Sequence, residues 1–190
     1  MNADVKEQKK YWEDFYRKNF SIEKNFSELR IASFDSQKYD LVIIAAGLFF
    51  DKILEKAEKV MGVKIKNELS FGGQIISIRE AETDYFVLVS KNLTKISFLG
   101  SDQRATIRAK DQVTLNEGFL FLMAAFEKRP KDFFSLVLSV FACGASRLEG
   151  KRNILLPGLV YEKNSKTLHI VWYDGFYAEA NLDKLQVAFI

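Results

Sequence analysis

The residues best suited to chemistry lie in one stretch, FACGASRLEGKRNILLPG, which covers residues 141–158. This stretch contains the only cysteine of the chain, Cys143, and three cations follow it closely. A cysteine becomes a nucleophile when a nearby base, usually histidine, helps to form the thiolate. The chain has one histidine, His169, and no motif links it to Cys143. The pattern therefore favours Cys143 as a small buried residue of the core.

The polar residues after Cys143 have two interpretations. Arginine side chains bind carboxylates and phosphates through paired N–H groups, so Ser146, Arg147, Glu149 and Arg152 are candidates for binding an anion or a partner. If the flanking segments are strands, Arg147 and Arg152 can pair with Glu149 or Asp174 across a turn. We place this structural interpretation first and predict a charged turn at the entrance to the C-terminal strands.

Metal and cofactor chemistry find little support in the sequence. One histidine and one cysteine leave only carboxylates to complete a metal shell, and no HxH, HExxH or DxDxD spacing occurs. The segment AAGLFF at residues 45–50 lacks the glycines and the Lys-Ser/Thr pair of nucleotide-binding loops. We therefore predict no metal and no cofactor. Distant carboxylates can still cooperate in catalysis, although no feature of the sequence singles out two of them.

Composition limits the class of partner. The 190 residues include 28 Lys and Arg against 25 Asp and Glu, which gives a formal net charge of +3. The cations are mixed with acids throughout, whereas a nucleic-acid-binding surface usually concentrates them. No apolar run approaches the roughly 18 residues of a membrane span, and the N-terminus lacks the apolar segment of a signal peptide. We predict a cytoplasmic protein that binds neither nucleic acid nor membrane and that has another protein as its partner.

The elements that would position these residues begin with an amphipathic helix within residues 1–20. Its apolar residues Val5, Trp12, Phe15 and Tyr16 follow the spacing of one helical face. The face either packs on the rest of the domain or presents Trp12 and Phe15 as an interaction surface. We retain both residues as candidates for that surface.

Residues 39–190 predict an α+β core, and the whole chain, residues 1–190, is predicted to form a single domain. Residues 39–47 read as a strand buried on both faces. Helices are predicted at residues 48–61, ending at Gly62, and at residues 115–127, beginning with a capping box of Thr114 and Glu117.

The other segments predict a mixed or antiparallel sheet flanked by these helices. The runs GQIISIRE and DYFVLVSK, separated by the short segment AET, are typical of a hairpin. The runs NILLPGLVYEK and TLHIVWYD are joined by the polar turn NSK, and Asp174-Gly175 lies between HIVWY and FYAEA as a two-residue hairpin signal. Together they predict a C-terminal β-meander.

Three short motifs in the same region carry a resemblance. TLNEG at residues 114–118, SRLEGKR at residues 146–152 and LPGL at residues 156–159 are similar to motifs of a family of uncharacterised bacterial proteins of unknown function. The resemblance covers about the last 80 residues. The chain departs from the family pattern in its final segment, FYAEANLDKLQVAFI. It implies no activity, and it implies only that Ser146, Arg147 and Arg152 belong to a shared structural feature.

These observations predict a non-enzymatic binding or interaction module. The alternative is a small enzyme that uses carboxylate and arginine residues on one face of the sheet. A deep pocket with an arginine beside a buried acid would favour the enzyme.

Overall fold

The computed structural model describes the backbone of most of the chain. The described residues are 4–67, 74–77, 82–91, 94–95, 113–130, 140–142, 146–150, 153–174 and 185–187, and their side chains are described at 4–67, 82–89, 91, 113–130 and 157–172. The helices are α1 (Val5–Phe20), α2 (Phe50–Met61) and α3 (Leu115–Lys128). The strands are β1 (Tyr39–Ile44), β2 (Lys64–Asn67), β3 (Gln74–Ser77), β4 (Tyr85–Ser90), β5 (Thr94–Lys95), β6 (Val140–Ala142), β7 (Ser146–Gly150), β8 (Asn153–Glu162), β9 (Thr167–Asp174) and β10 (Leu185–Val187).

Helix α1 begins at a side-chain cap. The Asp4 carboxylate accepts hydrogen bonds from the backbone N–H groups of Lys6 at 2.9 Å and Glu7 at 3.3 Å, which satisfies two N–H groups that lack helical partners. The apolar face of α1 packs into the core, where Trp12 is 0% and Phe15 is 2% exposed. The predicted interaction surface at Trp12 and Phe15 is therefore wrong, because the core of the molecule already covers both rings.

Strand β1 forms a two-stranded antiparallel sheet with β4. Residues 41–44 of β1 are at most 3% exposed, as predicted for a strand that is apolar on both faces. The edge of β1 that points away from β4 lies against α1. There, Trp12 Nε1 donates to the carbonyl oxygen of Leu41 at 3.0 Å, and the Tyr16 hydroxyl donates to that of Ile43 at 2.7 Å. Helix α1 thus covers the edge where another strand would otherwise pair.

The second sheet contains the eight other described strands. Its main path is β2-β9-β8-β6-β10-β5, with β7 beside β8 and β3 beside β7. The sheet is mixed, because β2–β9 and β6–β10 are parallel pairs and the other pairs are antiparallel. The predicted α+β class with a mixed sheet and flanking helices is confirmed.

The strand pairing agrees with the predicted meander and differs from the predicted hairpin. Strands β7, β8 and β9 pair antiparallel in succession, as a meander requires, whereas the predicted turn at Asp174-Gly175 extends beyond the described residues. The predicted hairpin of residues 73–80 and 84–91 is wrong, since β3 pairs with β7 and β4 pairs with β1.

The end of α2 and the start of α3 lie where local sequence signals predict them. Gly62 ends α2 at a φ of +64°, a conformation that glycine adopts without strain. Helix α2 begins at Phe50, because Phe49 occupies the extended N-cap position. The α3 capping box is present, with the Glu117 N–H bonded to the Thr114 side chain and the Thr114 N–H bonded to the Glu117 carboxylate. The rings of Phe50 and Phe119 join the two helices edge to face at a centroid distance of 5.9 Å.

Candidate functional site

A cleft of about 590 Å³ opens among the C-terminal parts of the three helices. We call it the lysine cleft. Its described lining comprises three lysines, two other polar residues and three apolar ones: Lys18, Lys56, Lys59, Asn19, Glu127, Val60, Phe126 and Pro130. Cationic side chains from α1 and α2 therefore lie beside an apolar surface formed by Val60 of α2, Phe126 of α3 and Pro130, which follows α3.

The α1 side of the lysine cleft is held to α3 through Glu127. One carboxylate oxygen, Oε1, accepts from Lys18 Nζ at 2.9 Å and from Asn19 Nδ2 at 3.1 Å. The other oxygen, Oε2, accepts from the Tyr11 hydroxyl at 3.4 Å. The Glu127 side chain is only 17% exposed. Glu127 is thus fixed in place by three donors from one helix.

The α2 side of the cleft carries two lysines that share one carboxylate. Glu55 Oε1 lies 2.9 Å from Lys59 Nζ and 3.6 Å from Lys56 Nζ. The hydrogen bond from Lys59 and the positive charges of both lysines hold the pKa of Glu55 below its usual value. Unlike Glu127, the Glu55 side chain is 57% exposed. Two ammonium groups therefore converge on an oxygen whose side chain is free to turn into solvent.

No protein-family model, curated protein or solved structure matches the chain.

The candidate residues from the sequence lie elsewhere. Ser146, Arg147 and Glu149 belong to β7, where they pair with Ser77, Ile76 and Gln74 of β3. Most of the segment predicted as a charged turn belongs to β7, whose last residue, Gly150, is the register partner of Asn153 in β8. Arg152 and Cys143 fall outside the described residues. None of the described residues that line the lysine cleft belongs to this group.

His169 lies on β9 beside an acid. Its Nε2 is 3.5 Å from Glu162 Oε2. The Glu162 carboxylate also accepts a hydrogen bond from the Ser165 hydroxyl, and this bond, more than His169, lowers the pKa of Glu162.

Within the part of the chain that the structure describes, no three His, Cys, Asp or Glu side chains group closely enough to hold a metal ion. Among the same residues, no helix has the length and apolar character to cross a membrane.

Two further acids, one fully buried and one partly exposed, have structural roles. Glu117 is fully buried, and its Oε1 accepts from the Tyr85 hydroxyl at 2.8 Å while Oε2 accepts from the Thr114 N–H at 2.8 Å. Asp84 Oδ1 accepts from Lys24 Nζ at 2.8 Å and from the Ala46 N–H at 2.7 Å. Glu117 joins the start of α3 to the start of β4. Asp84 joins the segment after α1 to the segment after β1, so the partners of both carboxylates account for their positions.

Sequence reasoning missed the lysine cleft. The Glu55–Lys59 pair is visible as a favourable i,i+4 pair on a solvent-facing helix surface. Lys18 and Glu127, however, are 109 positions apart in the chain. Lysines near the ends of helices were the available signal, and that signal does not show which helix ends meet.

Proposed function

We propose that this protein is a non-enzymatic interaction module whose lysine cleft binds an acidic segment of a partner protein. The observation that carries the proposal is the placement of Lys18, Lys56 and Lys59 from two helices around one apolar surface. A segment that combines Asp or Glu with an apolar side chain complements both parts of this surface.

The charge balance of the cleft supports an anionic partner. Its described lining carries three lysines against one acid, Glu127. Glu127 is already engaged by Lys18, and the nearby Glu55 shares Lys56 and Lys59. One formal positive charge remains after both acids are counted, and the local field therefore attracts acidic groups.

The openness of the cleft supports a chain segment over a small molecule. Small-molecule sites enclose most of the ligand surface, whereas the Lys18 and Lys59 side chains are 70% and 67% exposed. Lysines of this kind contribute most to steering and orientation of a charged partner. An extended segment can place its acids at this rim and one apolar side chain against Val60 and Phe126.

The test is selection from a random peptide library displayed on phage. The wild-type protein is the target, and a Lys18→Gln/Lys56→Gln/Lys59→Gln variant removes non-specific binders. We expect selected peptides to be enriched in Asp and Glu around an apolar residue. In fluorescence anisotropy, they should bind the cleft variant at least about ten-fold more weakly than wild type, the change that 1.4 kcal/mol produces.

The matched control is Lys6→Gln/Lys10→Gln/Lys52→Gln, which removes the same three charges from exposed positions outside the cleft lining. We expect the control to bind as wild type does at moderate salt. Equal loss in both variants, or selected peptides without excess acid, would overturn the proposal.

The lysines near helix C-termini also offset the partial negative charge of those ends. If that is their only role, the cleft variant loses stability and no acidic peptide is selected. Measurement of the unfolding free energy of both variants separates this outcome from a loss of binding. The cytoplasmic location and the absence of nucleic-acid binding stay predictions from the sequence.

A further inference from the structure

We propose that Glu55 occupies the position of the partner's carboxylate, so that binding begins when Glu55 turns away and the partner's acid takes its place between Lys56 and Lys59. This inference rests on the proposed function. The two sides of the lysine cleft then have different roles. On the α2 side, the carboxylate of Glu55 is replaced by one from the partner, whereas on the α1 side the carboxylate of Glu127 stays in place.

The geometry supports exchange at α2. Two ammonium groups face the same oxygen, Glu55 Oε1, at 2.9 and 3.6 Å, and this arrangement would equally receive a carboxylate from another chain. The side chain of Glu55 is more than half exposed. An exposed i,i+4 ion pair contributes little to stability, so its separation opposes binding only weakly.

The opposite side of the cleft does not offer the same exchange. Glu127 is mostly buried and holds three donors, Lys18, Asn19 and Tyr11. Turning Glu127 away would leave these groups without their shared acceptor. A partner's acid would therefore meet Lys18 only at its outer surface, with Glu127 still in place.

Two different effects follow from this assignment. Removing the Glu55 charge leaves Lys56 and Lys59 without an internal competitor and should strengthen binding. Removing the charge of Lys56 or Lys59 should weaken binding more than removing the charge of Lys18. In the complex, Lys18 remains paired with Glu127 and therefore contributes less to the attraction of the partner's acid.

The experiment measures the binding of fluorescein-labelled hexaglutamate by anisotropy at low ionic strength. We expect Glu55→Gln to bind about two- to five-fold more tightly than wild type, the range that corresponds to an exposed ion pair. Glu23→Gln is the matched control, since Glu23 is an exposed acid outside the cleft lining, and it should change affinity by less. Lys56→Gln and Lys59→Gln should each weaken binding more than Lys18→Gln.

Three outcomes decide the inference. Equal gains for Glu55→Gln and Glu23→Gln would overturn it and leave the proposed function standing, because the gain would then reflect net charge alone. A larger loss for Lys18→Gln than for both α2 lysines would also overturn it. If hexaglutamate and the library-selected peptides all fail to bind wild-type protein, the inference and the proposed function fail together.

Discussion

The Tyr16 hydroxyl donates a hydrogen bond of 2.7 Å to the carbonyl oxygen of Ile43. The same hydroxyl oxygen accepts a 3.1 Å bond from the N–H of Ala45. Tyr16 is fully buried, so water does not replace these contacts. One side chain of α1 therefore satisfies an acceptor on the edge of β1 and a donor on the residue that follows β1, as the backbone of an adjacent strand would do.

Replacement of Tyr16 by phenylalanine should lower the free energy of unfolding by about 1–3 kcal/mol, since two buried backbone groups lose a partner. Tyr11→Phe is the matched control on the same helix. Its hydroxyl makes a longer bond of 3.4 Å to Glu127 in a partly buried position, and its loss should cost less than about 1 kcal/mol. Urea denaturation measures both values. Equal losses would contradict the larger contribution expected of the buried Tyr16 hydroxyl.

Stability should fall in alkaline solution, and Tyr16 should contribute to the fall. Burial raises the pKa of Tyr16 above its usual value in the folded protein, whereas an unfolded tyrosine loses its proton near pH 10. Above about pH 10 the unfolded state therefore binds fewer protons than the folded state, and the free energy of unfolding decreases as the pH rises. Below that pH the contribution is fully present.

Denaturation curves of wild type and Tyr16→Phe between pH 8 and about pH 11 isolate this contribution, because lysines titrate in both proteins. The stability of wild type should decrease more steeply, by up to about 1.4 kcal/mol per pH unit for one proton. Parallel curves would contradict the assignment.

The buried cap of α3 gives a third prediction. Thr114→Val keeps the shape of the side chain and removes the oxygen that accepts from the Glu117 N–H. We expect a loss of about 1–2 kcal/mol, as for other N-cap residues. Thr167→Val makes the same chemical change at a buried strand position, where the hydroxyl donates a long bond of 3.3 Å to the carbonyl oxygen of Ser165. Its cost should be smaller, because valine suits a strand. A larger cost for Thr167→Val would contradict the role of the cap.

The burial of Trp12 is testable by fluorescence. The chain has two tryptophans, so Trp172→Phe leaves Trp12 as the only one. Its emission should be blue-shifted and several-fold less sensitive to iodide than that of a free tryptophan analogue, because the ring is fully buried. Wild type should show greater quenching, since Trp172 is partly exposed. Strong quenching of the Trp172→Phe variant would show that Trp12 is exposed, and Trp12 would again be a candidate for an interaction surface.

Local signals predicted the features that depend on neighbouring residues. Thr114 and Glu117 form their capping box, and Gly62 ends α2, because each motif requires contacts within one turn. The same pattern logic found the apolar face of α1. It did not show that this face is covered, because the cover comes from β1 and other elements distant in sequence.

Features that depend on distant partners escaped the sequence. The segments around β3 and β4 look like two arms of a hairpin, yet each pairs with a strand far from it along the chain. The lysine cleft likewise forms where three helix ends meet. Helix ends and strand runs are local properties, whereas their meeting points follow from packing of the whole core.

The order of α1 and β1 along the chain matters during synthesis. The helix leaves the ribosome before the strand that it covers, and N-terminal segments are available first to assist folding. When β1 emerges, Trp12 and Tyr16 are therefore already present to meet its edge. A nascent chain with a damaged α1 would expose this apolar strand to other nascent chains and would be prone to aggregate.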